Sequence, residues 1–69
     1  MTQEEKRVFN KIWRETQRGN RVYRIPPGEN KIVDAFAVKG LLRYLSERYV
    51  KFTREGIRLG MMMNDPNNV

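Results

Sequence analysis

The stretch from Val38 to Leu59, VKGLLRYLSERYVKFTREGIRL, constrains the fold more than any other part of the chain, because two periodicities meet in it. Val38, Leu41, Leu42, Leu45 and Tyr49 recur at helical spacing and share one face. This predicts a helix over Val38–Arg48, with Lys39, Arg43 and Ser46 on the opposite face and Glu47 at its edge. Gly40 inside such a helix costs up to about 1 kcal/mol relative to alanine, so it implies close approach of another element or of a phosphate. Beyond the helix the period changes. Tyr49–Thr53 and Ile57–Met61 flank Arg54-Glu55-Gly56, a loop with glycine where a hairpin needs a left-handed residue. In that hairpin Val50, Phe52, Ile57, Leu59 and Met61 face the core, Lys51, Thr53 and Arg58 point outward, and Arg54 sits at the tip.

Upstream, Thr2 followed by Glu5 fits a capping box and predicts a helix from Gln3 to Arg18, closed by Gly19-Asn20. Val8, Phe9, Ile12 and Trp13 form its apolar side, and Arg7, Lys11, Arg14 and Arg18 form a basic stripe opposite. Such a stripe is either a solvated face, partly neutralised by Glu4 and Glu15, or a surface for phosphates. Arg21–Ile25 has the β-branched and aromatic content of a short strand, in which Arg21 and Arg24 add two cations. Pro26-Pro27-Gly28-Glu29-Asn30 is a turn. After it two architectures remain open. Lys31–Ala37 is a short helix leading into the next one, or Lys31–Phe36 is a strand paired with Arg21–Ile25 across the turn. Both fit an α+β domain over residues 1–63, with 64–69 as a flexible tail.

A chain of 69 residues with 14 Lys plus Arg against 8 Asp plus Glu carries a net charge of +6, a field suited to a polyanion. Cysteine and histidine are both missing, which removes disulfides, the common zinc ligands and the His-based nucleophilic triads. No metal, cofactor or enzymatic activity is therefore expected. No apolar run approaches the roughly 18 residues of a membrane span, and the charged N-terminus is not signal-like. These features fit a cytoplasmic, or nucleoid-associated, protein. A core this small gains from a partner, which leaves room for a homodimer.

The order of elements, an N-terminal helix, a short strand, a helical pair and a closing hairpin of the form LxxLxxxxYVxxxxxGIxL, resembles the winged helix-turn-helix family. The resemblance implies a small winged-helix-like α+β domain whose Val38–Arg48 helix enters a DNA groove while the Lys51–Leu59 wing lies beside it. Lys39, Arg43, Ser46, Lys51, Thr53, Arg54 and Arg58 would then contact duplex DNA, with Arg43 suited to guanine and most of the others to phosphates. Arg7, Lys11, Arg14, Arg18, Arg21 and Arg24 would add phosphate contacts. The function so implied is that of a transcriptional regulator or recombination accessory factor. A different class, a protein-interaction module or inhibitor docking on an acidic surface, is suggested by Met61-Met62-Met63, which cannot all face so small a core. RNA binding would draw on the same charge, without the aromatic-rich strands or GXXG loop of common RNA-binding domains. Tyr23, Tyr44 and Tyr49 are either stacking surfaces or, beside leucines, the edge of the core.

Overall fold

In the computed structural model, which describes residues 1–64, Thr2 and Glu5 open the chain with the expected capping box. The Thr2 hydroxyl accepts from the Glu5 amide at 3.1 Å, and the Glu5 carboxylate accepts from the Thr2 amide at 2.8 Å. The helix that follows, α1 (Gln3–Glu15), buries Val8, Phe9, Ile12 and Trp13. It stops short of Arg18 because Thr16 ends it. That side chain is fully buried, donating to the Ile12 carbonyl at 2.7 Å and accepting from the Gly19 amide at 3.2 Å. Gln17 and Arg18 turn left-handed, with φ of 52° and 61°, and their amides return to the carbonyls of Arg14 and Trp13 in a Schellman closure.

The short strand appears as β1 (Tyr23–Arg24). Next, the Glu29 amide donates back to the Pro26 carbonyl across Pro27 and left-handed Gly28, the residue pattern of a type II turn. Of the two architectures open for the next segment, the helix is the one formed. It is α2 (Asn30–Val38), with Val33 and Phe36 buried.

Two expectations for the second half are overturned. Val38–Arg48 is not a helix. Gly40 has φ of 80°, its amide donates to Ala37 and that of Leu41 to Phe36, so Gly40 is the glycine that terminates α2 and not one inside a longer helix. Leu42, Arg43 and Tyr44 then form β2 (Leu42–Tyr44), joined by Leu45-Ser46-Glu47-Arg48 to β3 (Tyr49–Phe52). The hairpin thus lies one element earlier than expected, and the second half of the proposed Lys51–Leu59 wing belongs to a helix, α3 (Arg54–Asn64). Thr53 starts that helix, its hydroxyl accepting from the Gly56 amide at 3.0 Å and its carbonyl from the Ile57 amide at 2.9 Å. The alternation of Ile57, Leu59 and Met61 mimics a strand. What selects the helix is Gly56 and Gly60, one turn apart and both buried: a methyl group on Gly56 would collide with the Leu41 carbonyl, and one on Gly60 with the Trp13 ring. Of the tail expected at 64–69, Asn64 closes α3 and 65–69 lie outside the described residues.

Among the described residues the fold is thus three helices and a three-stranded antiparallel sheet of order β1-β3-β2, consistent with a small winged-helix-like α+β domain. Phe9 is the centre of the core, edge-on to Phe36 at 5.6 Å and to Phe52 at 5.2 Å, and Phe52 in turn meets Trp13 at 5.5 Å. Each such pair adds about 0.5–1.5 kcal/mol beyond the burial of its rings. The aromatic chain links α1, α2 and β3, and the glycine face of α3 closes over Trp13.

Candidate nucleic-acid interface

β3 alternates strictly: Val50 and Phe52 are buried, and Tyr49 and Lys51 are exposed. Residues directly opposed in an antiparallel pair point to the same side of a sheet. Arg24 of β1 lies opposite Tyr49, and Arg43 of β2 lies opposite Lys51, so these four side chains share the outer face, and all four are exposed. No residue of the three strands is a carboxylate. Arg43 and Lys51 are therefore a like-charged cross-strand pair, an arrangement that costs stability in the isolated protein unless an anion lies over it. Tyr49, 43 % exposed, is the aromatic element of the face.

The basic face extends past the edge of β1. Arg24 also lines a cleft of about 690 Å³ whose other walls are Ile25, Pro26, Pro27, Asn30, Glu47 and Arg48. The fixed φ of the two prolines and the bond from the Ile25 amide to the Arg48 carbonyl, 2.7 Å, hold the turn against the base of the hairpin loop. Arg24 and Arg48 are thereby brought to one opening.

The remaining sequence-predicted residues are dispersed. Arg7 and Arg14 are exposed on α1, whereas Arg18 has left the helix through the left-handed turn, so the basic stripe does not run the full length first expected. Lys11 is committed elsewhere. It pairs with Glu29, which also accepts from the Tyr23 hydroxyl at 2.7 Å, and its ammonium lies 5.8 Å from the centre of the Tyr23 ring. The Glu29 carboxylate holds the Lys11 ammonium above its usual range, and burial, reinforced by the same carboxylate, pushes the Tyr23 phenol up to about 12. This half-buried knot ties α1 and β1 to the start of α2, which explains why Glu29 does not cap α2 with its side chain. Lys39 caps the end of α2 and reaches Glu5 at 3.6 Å. The Thr2 amide, with a smaller contribution from Lys39, draws the Glu5 carboxyl below its ordinary range.

Thr53 has a structural task, since its hydroxyl also donates to the Gly40 carbonyl and so joins the start of α3 to the end of α2. Ser46 lies in the hairpin loop, its amide directed at the Tyr49 carbonyl, and Arg21 is exposed in the turn after α1. Arg54 and Arg58 sit on α3, beside Met61 and Met62. Of the three tyrosines Tyr23 is buried, Tyr44 donates to Asp34 at the sheet edge, which pushes its phenol up to about 12, and Tyr49 alone stands on the outer face. Sequence reading named Arg24, Arg43 and Lys51 but assigned them to separate elements, and it missed Arg48. The signal for their convergence was the alternation Tyr49-Val50-Lys51-Phe52, which marks a half-buried strand.

No helix among the described residues is long and apolar enough to cross a membrane. Comparison of the chain with protein-family models, curated proteins and solved structures gives no match.

Proposed function

We propose that this is a small basic DNA-binding protein that holds duplex DNA by its phosphates with the open face of its sheet. The observation that carries the reading is the set Arg24, Arg43 and Lys51 around Tyr49 on a face with no carboxylate, where Arg43 and Lys51 oppose each other directly. Three strands spaced about 4.8 Å apart form a platform roughly 10 Å across, matched to the width of a DNA groove and its flanking phosphates. With Val38–Arg48 folded as a helix end and a hairpin, base reading by an inserted helix is not part of this proposal. Phosphate contact positions a protein without reading sequence, so the mode suits an architectural or recombination accessory role better than a sequence-reading repressor.

Single-stranded nucleic acid is disfavoured by a specific feature of the face. Stacking platforms set successive bases on successive aromatic rings, and here one tyrosine stands among cations. The test is a fluorescence anisotropy titration of a labelled duplex with single-stranded DNA and duplex RNA as competitors. Arg24→Ala, Arg43→Ala and Lys51→Ala should each weaken duplex binding by a similar factor on unrelated sequences. If single strands compete far better than duplex, and Tyr49→Ala is the most damaging change, the duplex proposal fails.

A further inference from the structure

On the outward side of α3 two adjacent large apolar groups, Met61 and Met62, remain in solvent beside cations. Gly56 and Gly60 turn inward onto Leu41 and Trp13, which rotates Arg54, Arg58, Met61 and Met62 to the outside and leaves Ile57 half-buried at the margin, packed against the core. These five residues line a shallow groove of about 320 Å³. Met61 is 47 % and Met62 61 % exposed, although Met63, the next in line, packs against the core. Methionine is the side chain best able to reshape itself around an apolar partner, and adjacent exposed methionines have no use in the fold itself.

The charges flanking this groove are placed against the stability of the isolated helix. Arg54 is the first residue of α3, where the helix macrodipole is positive and a cation is unfavourable. Arg58 follows four residues later on the same side, a like-charged neighbour. Among the described residues neither is in an ion pair. An anionic group over this side would relieve both costs together.

We infer that the outer side of α3 is a docking groove for an acidic amphipathic helix of a partner protein. Apolar side chains of the partner at helical spacing would fill the space between Ile57, Met61 and Met62, while its Asp or Glu residues would pair with Arg54 and Arg58. A second copy of this chain fits poorly, since a twofold contact sets the same patch against itself and brings the arginines of both copies together. The groove is carried by α3 and the proposed DNA face by the strands, with Arg54 three residues beyond Lys51.

The experiment uses the full chain and a labelled synthetic amphipathic helix with leucine on one side and glutamate on the other, compared with the same peptide carrying lysine for glutamate. The glutamate peptide should bind, and the lysine peptide should bind at least roughly tenfold more weakly. Met61→Ser/Met62→Ser should weaken binding of the glutamate peptide by roughly tenfold or more, with the circular dichroism spectrum unchanged. Arg58→Glu should reverse the preference between the two peptides. The proposal is overturned if both peptides bind equally, if neither binds, or if the methionine pair has no effect. It is equally overturned if sedimentation shows dimers that the methionine substitutions dissolve, or if vesicles of anionic phospholipid capture the chain through the same residues in preference to the peptide. Arg43→Ala/Lys51→Ala should leave peptide binding unchanged, so the groove can be tested whatever becomes of the DNA face.

Discussion

Alanine at position 40 has opposite consequences in the two folds that the Val38–Leu59 stretch could adopt. In the interior of a helix, replacing glycine by alanine would gain up to about 1 kcal/mol. At the left-handed end of α2, with φ of 80°, the same change forces a side chain into a conformation that costs it roughly 1–2 kcal/mol. Gly40→Ala should therefore lower the urea midpoint without altering the slope of the transition. Tyr23 offers a second test at this scale. Its phenol ionises at about 12 in the folded protein against 10.0 ordinarily, so its contribution to stability is complete below 10.0 and is lost as the pH rises through about 12. Tyr23→Phe should abolish that part of the alkaline loss of stability, and an ultraviolet titration of the variant should lack one high-pH phenol while keeping that of Tyr44.

Element by element, what was legible in the sequence was what local chemistry decides. The Thr2–Glu5 box, the apolar side of α1, the short strand around Tyr23 and the proline-glycine turn all depend on neighbours in the chain, and each is found where its residues predict it. The helix α2 was one of two readings left open. The error came after Gly40, where Leu41, Leu42, Leu45 and Tyr49 keep a helical spacing by coincidence of a strand, a four-residue loop and a second strand. What decides against the helix is tertiary: Leu42, Arg43 and Tyr44 pair with Phe52, Lys51 and Val50, Leu41 and Phe52 abut Gly56 of α3, and Trp13 occupies the place of a side chain at Gly60. No local pattern contains those contacts. They carry the expectation that Gly60→Ala, which would raise the helix propensity of α3 in isolation, instead destabilises the protein by about 2–3 kcal/mol. Chemical denaturation would measure it, and loss of the packed Trp13 fluorescence would show where the damage lies. The candidate face was half legible for the same reason. Arg24, Arg43 and Lys51 are conspicuous as cations, but only strand register sets them side by side.

For the whole molecule, the positive charge is divided rather than continuous. Lys11 and Lys39 are engaged by Glu29 and Glu5, Arg54 and Arg58 belong to α3, and the strands hold the compact group free of carboxylates. A protein that placed Arg43 opposite Lys51 for stability alone would do better with one of them reversed. Lys51→Glu is accordingly expected to stabilise the free protein by about 0.2–1 kcal/mol in thermal unfolding while weakening its hold on DNA. The dependence of duplex affinity on salt measures that hold most directly, because each neutralised phosphate adds about 0.9 to the slope of log K against log salt. Arg43→Ala/Lys51→Ala should reduce the slope by nearly two, whereas Arg7→Ala/Arg14→Ala should change it little. A slope untouched by the sheet pair and reduced by the α1 pair would contradict the sheet face as the seat of binding.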